Sequence, residues 1–202
     1  MFKLNNRDDA KQALLILIPK LSLIIRTDEE RLVVMAALDA FNELLKVMKS
    51  DALTNDGQKD AIFGCILDVL TGKVACQFDE PTGDDEQDES EYDEAIIESA
   101  GDILPRFGLA LGPQEFALYF GRIYMLLVQK IEKSKDADSQ RAFAFGVLSE
   151  CFSGLKDATA TYFDTLLPLF IVAVDDSCDE VRNNAVYGLG ELVLNADAYS
   201  FK

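Results

Sequence analysis

Residues 175–192 read DDSCDEVRNNAVYGLGEL. Asp175 and Asp176 form an acidic turn, and a helix starts directly after it. Val181 and Arg182 are followed by Ala185, then by Gly188 and Gly190 on either side of Leu189, with Leu192 closing the stretch. Small residues at Ala185 and Gly188 admit a neighbouring helix closely, while Val181, Leu189 and Leu192 fill the space between layers. A single helix with such a stripe cannot bury it alone. The chain is therefore expected to be a stack of helix pairs, and such a stack points to binding rather than chemistry.

The spacing is that of the second helix of a HEAT repeat, and helical periodicity runs through the rest of the chain without strict period-two alternation. Residues 8–26 read as a first helix, apolar at Leu14, Leu15, Ile18, Leu21, Ile24 and Ile25, with Pro19 inside it. Thr27-Asp28-Glu29-Glu30 caps a second helix to about Ser50. Asn55-Asp56-Gly57 opens the next pair. Its second helix is preceded by an acidic tract, Asp79–Glu94, in which ten of 16 residues are Asp or Glu and none is basic. This tract reads as a loop to about Asp88, then as a helix to about Ala110 that Pro105 bends or shortens. Gly112-Pro113 starts a third pair and Asp157-Ala158-Thr159 a fourth. The last three second helices start near residues 90, 137 and 179, about 47 and 42 residues apart, within the HEAT period. The expected fold is all-α, an α-α superhelix (HEAT-repeat solenoid) of about four helix pairs. The whole of 1–202 forms one array, with repeats near 8–50, 55–110, 113–155 and 157–196 and an acidic loop at 79–89. Repeat pattern reaches both ends, so a segment of a longer solenoid is expected.

Acidic residues number 36 against 19 basic, a formal net charge of −17. Such a field repels nucleic acid and anionic lipid and draws basic partners, of which a histone, a ribosomal protein or a Lys-rich peptide is the natural complement. The chain holds four cysteines and no histidine, with no CxxC pair, so Cys/His zinc chemistry is excluded. Cys65 and Cys151 lie in apolar helical runs and read as small buried hydrophobes, consistent with a reducing compartment. The longest apolar run, Ala13–Ile25, is broken by Pro19 and Lys20, and is too short to span a bilayer. A soluble cytosolic or nuclear protein is expected.

DESEYDEAIIE at 88–98, SAGDILPRFGLALGPQEFALYF after it, RAFAFGVLSE, and DEVRNNAVYGLGELV at the fourth repeat together resemble the C-terminal part of the importin-β (karyopherin) superfamily, most of all its importin-four subtype. The likeness runs from about residue 55 to 196. It implies nuclear import, shuttling between cytoplasm and nucleus. Cargo with a basic signal, such as core histones or ribosomal proteins, would bind the inner surface and be released by Ran-GTP. It also implies that Ran-GTP is held by the N-terminal half of such receptors and not by these repeats.

In such an array the second helices line the concave face. Glu180, Asn184, Tyr187 and Glu191 fall on one stripe of the fourth. Carboxylates accept charge-assisted bonds from lysine, Asn holds a peptide backbone, and Tyr covers a lysine stem. The resemblance adds that concave-face asparagines of importins hold cargo main chain. Glu91, Glu94, Glu98 and Asp102 form a second acidic stripe, which a basic partner would relieve, although acids near a helix N-terminus are favoured by the dipole alone. Arg182 is expected to ladder with Asp175 or Asp176 and to join repeats. Tyr92, Phe143 and Phe145 are assigned to the core.

Catalysis fails on inventory. There is no histidine for proton transfer, no phosphate-binding glycine motif, and no cofactor is expected. The reading is thus an import-receptor segment binding Lys-rich cargo on an acidic inner wall. The alternative is a HEAT scaffold subunit that holds a folded partner along its ridges and has no peptide groove.

Overall fold

The computed structural model describes residues 7–78, 86–133 and 137–196. They form helices α1 (Arg7–Thr27), α2 (Arg31–Met48), α3 (Asp56–Leu70), α4 (Glu86–Gly101), α5 (Ile103–Leu111), α6 (Pro113–Lys133), α7 (Asp138–Leu155), α8 (Phe163–Ala173) and α9 (Asp179–Asn195). No strand occurs among the described residues, and the fold is an all-α helical repeat. The chain divides into two compact units, Met1–Arg106 and Phe107–Lys202. The division falls inside α5, a few residues before the 110/113 boundary between the second and third repeats.

In the first unit, α1 pairs with α2 and α3 with α4. The pairs stack first helix on first and second on second. Ile18 and Ile25 of α1, Leu38 and Phe41 of α2, and Phe63 and Ile66 of α3 are completely buried between them. Arg26 Nε lies 2.7 Å from Asp68 Oδ2 and ties α1 to α3 at the edge of this core. A capping box starts α3: the Asn55 side chain accepts from the Gln58 amide, and the Gln58 side chain accepts in return from Asn55. The start of α2 has no such cap. Its N-cap residue is Glu30, with no side-chain bond, and Asp28 Oδ1 accepts the Glu30 amide at 3.0 Å instead. Pro19 sits in the middle of an unbroken α1. Its missing N–H leaves the carbonyl of the exposed Leu15 without a helical partner.

The acidic tract differs from expectation at its end. Helix α4 begins at Glu86, before the expected loop end at Asp88, because acids in a first turn are favoured by the helix dipole. Residues 79–85, most of the acidic loop, lie outside the described residues. The expected helix to Ala110 is two helices, with the break at Asp102. Pro105 has no N–H to give the Gly101 carbonyl and its ring crowds that group, so the chain turns and restarts with the proline in a first turn.

The second unit holds α6, α7, α8 and α9. Helix α7 lies along α9, and Gly146, Ser149 and Gly188 are the residues at their contact. Between α6 and α8 stands a 3-10 turn, Lys156–Tyr162. Its Tyr162 ring rests against Phe120 at 5.0 Å and Tyr124 at 4.7 Å between centroids. The same turn also touches α7 and α9. Phe170 of α8 fills the layer below them, edge-on to Phe145 at 5.0 Å and tilted against Phe152 at 5.9 Å.

Two second helices end alike. Lys49 after α2 has φ 51° and Lys156 after α7 has φ 49°, and each begins a 3-10 turn. These are the described non-glycine residues in the left-handed half of backbone space.

Candidate functional site

The stripe on α9 is present, and its members have different tasks. Glu180 and Tyr187 are exposed, while Asn184 and Glu191 are half-buried. Val181, Ala185, Gly188 and Leu192 face inward, which leaves the stripe along the edge that adjoins α7. Asn184 is turned toward α7: its Nδ2 donates to the Ala142 carbonyl at 2.9 Å, and its own carbonyl accepts from Ser149 Oγ at 3.3 Å. One of its two amide N–H donors is therefore engaged by the fold, a role not expected from sequence. Val147, Leu148 and Ser149 bury the α7 side of this seam.

Tyr187 is 52% exposed. Partial burial pushes its phenol pKa up, and the negative charges of Glu191 on its own helix and Glu150 on α7 push it further. Glu191 is itself positioned: Asn195 Nδ2 donates to its Oε2 at 3.2 Å and to its carbonyl at 2.8 Å. Beyond Glu191 a shallow groove of about 510 Å³ is lined by Ser153, Lys156, Asp157, Leu194 and Asn195. An exposed aromatic ring can cover the methylene stem of a lysine, and carboxylates on the same surface can receive its ammonium.

Glu150 was not singled out from sequence. A signal for it exists in the repeat itself. Asp138, Arg141 and Glu150 of α7 have the same spacing as Asp179, Arg182 and Glu191 of α9. Groups at one repeat position lie side by side on adjacent second helices.

The second stripe is less coherent. Glu94 is half-buried and Glu98 exposed on α4, and both are engaged in contacts; the Glu91 and Tyr92 side chains lie outside the described residues. Asp102 falls in the break between α4 and α5, so it does not continue their stripe. Desolvation pushes its carboxyl pKa up and Asp39 adds to this, while Arg106 opposes both. Arg106 also lies 3.6 Å from Glu43 Oε1, so this patch carries its own cation.

The inter-repeat ladder is present one repeat earlier than expected. The Asp176 carboxylate pairs with Arg141 of α7, Oδ1 to Nη2 at 2.9 Å. Arg182 instead donates to the backbone carbonyls of Asp176 at 2.8 Å and Ser177 at 2.9 Å and pairs with Asp179. The reason is occupancy: Arg141 reaches forward from the previous repeat to take the carboxylate, and Asp175 is left exposed. Phe145 is buried as expected and Phe143 half-buried.

No group of three or more potential metal ligands occurs among the described residues. No helix of the described residues is long and apolar enough to cross a membrane.

The HEAT repeat family model matches residues 166–196, which hold most of α8 and all of α9. The chain is similar to importin-4 of Homo sapiens, 33% identical over 181 residues, covering 89% of this chain and 17% of the relative. It is similar to importin-4 of Mus musculus, 32% identical over 168 residues, covering 83% of this chain and 15% of the relative. It is also similar to a probable importin subunit beta-4 of Schizosaccharomyces pombe, 35% identical over 108 residues, covering 54% of this chain and 10% of the relative. The chain thus spans about one sixth of the length of the importin-4 relatives, 17% and 15%.

Proposed function

We propose, from the chain's membership of the importin-β family of HEAT-repeat proteins, that these repeats serve a nuclear import receptor as a cargo-binding segment. The cargo is a basic, Lys-rich stretch of a nuclear protein, of the kind found in core histone tails and ribosomal proteins. The segment would work in a receptor that shuttles between cytoplasm and nucleus, and the reading assigns it no contact with Ran-GTP. The net charge of −17 sets the sign of the partner. The observation that supports the site is Tyr187, exposed on α9 in one stripe with Glu180 and Glu191, with the charge of Glu150 on α7 also felt at its phenol.

The proposed machinery is Glu150, Tyr187 and Glu191, with Glu180 one step outward on the same stripe. Glu94, Glu98 and Asp102 provide a separate, weaker acidic surface on the first unit for basic cargo. Asn184 holds the seam on which the first group stands. Asn195 already orients Glu191, which lowers the ordering cost of binding a lysine there.

Titration of a fluorescent Lys-rich peptide into the chain tests this. The double charge reversal Glu150→Lys with Glu191→Lys is expected to weaken binding roughly tenfold or more, and Tyr187→Ala by several-fold. The wild-type affinity should fall steeply as salt rises. Unchanged affinity in the double reversal would refute the site. Affinity for folded partners but not for the peptide would favour the scaffold reading.

A further inference from the structure

Two lysines hold a backbone conformation that suits glycine. Lys49 follows α2 with φ 51° and ψ −130°, and Lys156 follows α7 with φ 49° and ψ −129°. Each closes its helix in the same way: the Lys49 amide donates to the Leu45 carbonyl and the Lys156 amide to the Phe152 carbonyl. Where α5 ends, Gly112 makes that bond to the Gly108 carbonyl at 2.9 Å, with φ 85°. Glycine adopts positive φ without strain, whereas a Cβ is crowded there. The same kind of helix end is thus made once with glycine and twice with a strained lysine.

The fold makes no use of either ammonium. Lys49 and Lys156 are exposed, and neither forms an ion pair among the described residues. The helix dipole favours a cation at a C-terminus, but Lys46 supplies one from ordinary helical backbone in the last turn of α2. At Lys156 the strain holds a cation in one particular place. Among the residues that line the groove of about 510 Å³, which are otherwise Ser153, Asp157, Glu191, Leu194 and Asn195, it is the one cation. Glu191 is already engaged by Asn195 Nδ2 at 3.2 Å. Both walls of the groove belong to α7, α9 and the turn after α7, and the exposed Val186 and Val193 take no part in it.

We propose that Lys156 is a specificity-determining residue of the lysine site: it makes the groove a subsite for an anionic oxygen group, a phosphate monoester or a carboxylate, carried by the bound segment close to its lysine. This inference rests on the cargo reading above. Alternate side chains of an extended segment point the same way, about 6–7 Å apart. A lysine received at Tyr187 and Glu191 can therefore turn the residue two places along into the groove that Glu191 shares with Lys156. The ammonium then gives charge-assisted hydrogen bonds to the phosphate or carboxylate oxygens. On a chain of net charge −17 an acid in the partner is otherwise repelled. Lys156 selects segments in which a basic run is interrupted by an acid, over runs that are basic throughout.

Three peptides test this, identical except for serine, phosphoserine or glutamate two residues after a lysine. Each is titrated into the full chain and into its Lys156→Met variant. In the parent, the phosphoserine and glutamate peptides should bind as tightly as the serine peptide, to within about twofold, or more tightly. In Lys156→Met the serine peptide should bind as before or more tightly, and the acidic peptides should fall about tenfold below it. Coupling to both acidic peptides assigns the subsite to anionic oxygens in general, and coupling to one of them assigns it to that group. An acid that costs the same affinity in parent and variant overturns the proposal and leaves the cargo reading standing. A parent that binds none of the three peptides overturns both. Lys156→Gly removes the ammonium where φ is 49°, and should melt no lower than the parent while losing the same discrimination. A Lys156→Gly chain that melts well below the parent would assign the lysine to the fold and also overturn the proposal.

Discussion

Asn184 Nδ2 donates to the Ala142 carbonyl at 2.9 Å, so a side chain of the last helix fastens it to the one before. Removal of the amide takes the second donor from the carbonyl of the buried Ala142, which keeps only its bond within α7. Asn184→Ala is expected to cost about 1–2 kcal/mol in chemical denaturation. Lys-rich peptide binding should survive where the variant is still folded, because Glu150, Tyr187 and Glu191 are untouched. A variant of full stability that loses peptide binding would return Asn184 to the cargo.

Gly188 and Gly190 lie two residues apart on α9 and answer oppositely to a methyl group. A Cβ at Gly188 would overlap the Phe170 ring and Ser149 Oγ, both held by packing. A Cβ at Gly190 enters open space. Gly188→Ala should therefore destabilise the chain by about 1–3 kcal/mol or more, through forced separation of α7, α8 and α9. Gly190→Ala should stabilise it by about 0.5–1 kcal/mol, since alanine is the better helix former and loses less entropy. Thermal melts of the two variants, moving in opposite directions from the parent, are the check.

That pair also shows where sequence is informative. Periodicity and small residues in 175–192 are enough to place α9, its inward face and its neighbour, because helix stacking depends on local spacing. The edge stripe was legible for the same reason. Glu150 was not, since its relation to Tyr187 exists only once α7 is laid against α9. The break at Asp102 was half legible: Pro105 announced a disturbance, but its position depends on which carbonyl loses its donor. The ladder was assigned to Arg182 when the carboxylate belongs to Arg141. A charged pair named within one repeat competes with one reaching from the repeat before, and spacing alone does not rank them.

Arg141 beside Asp176 holds the aspartate carboxyl below the usual carboxylate range, and the Cys178 amide bonded to it acts in the same direction. A folded-state value below the unfolded one means that the pair stabilises fully above the ordinary carboxylate pKa of about 3.9. That contribution is lost as pH falls through the lower folded value. Arg141→Met should cost about 1–3 kcal/mol near pH 7, because Asp176 is left without its cation. The penalty should shrink between about pH 5 and pH 2 as the parent loses the same interaction. Melting temperatures of the parent and variant over that range should converge; parallel curves would mean that the pair contributes nothing.

The four cysteines divide by burial, which sets their reactivity. Cys65, Cys76 and Cys151 are buried and Cys178 is half-buried. Desolvation pushes the first three thiols above their ordinary range. The push is largest at Cys151, where the charge of Glu150 adds to complete burial. At Cys65 the Arg26 guanidinium works against it but does not reverse it. The thiolate is the reactive form, so these three should be nearly inert to a disulfide reagent at neutral pH while the chain is folded. Cys178, at the start of α9, should account for the fast phase, and Cys178→Ser should remove that phase. Denaturant should release the rest together, with the cooperativity of the melt. Fast labelling at Cys65 or Cys151 under native conditions would show that the α1–α3 or α7–α8 layers open more readily than their burial implies.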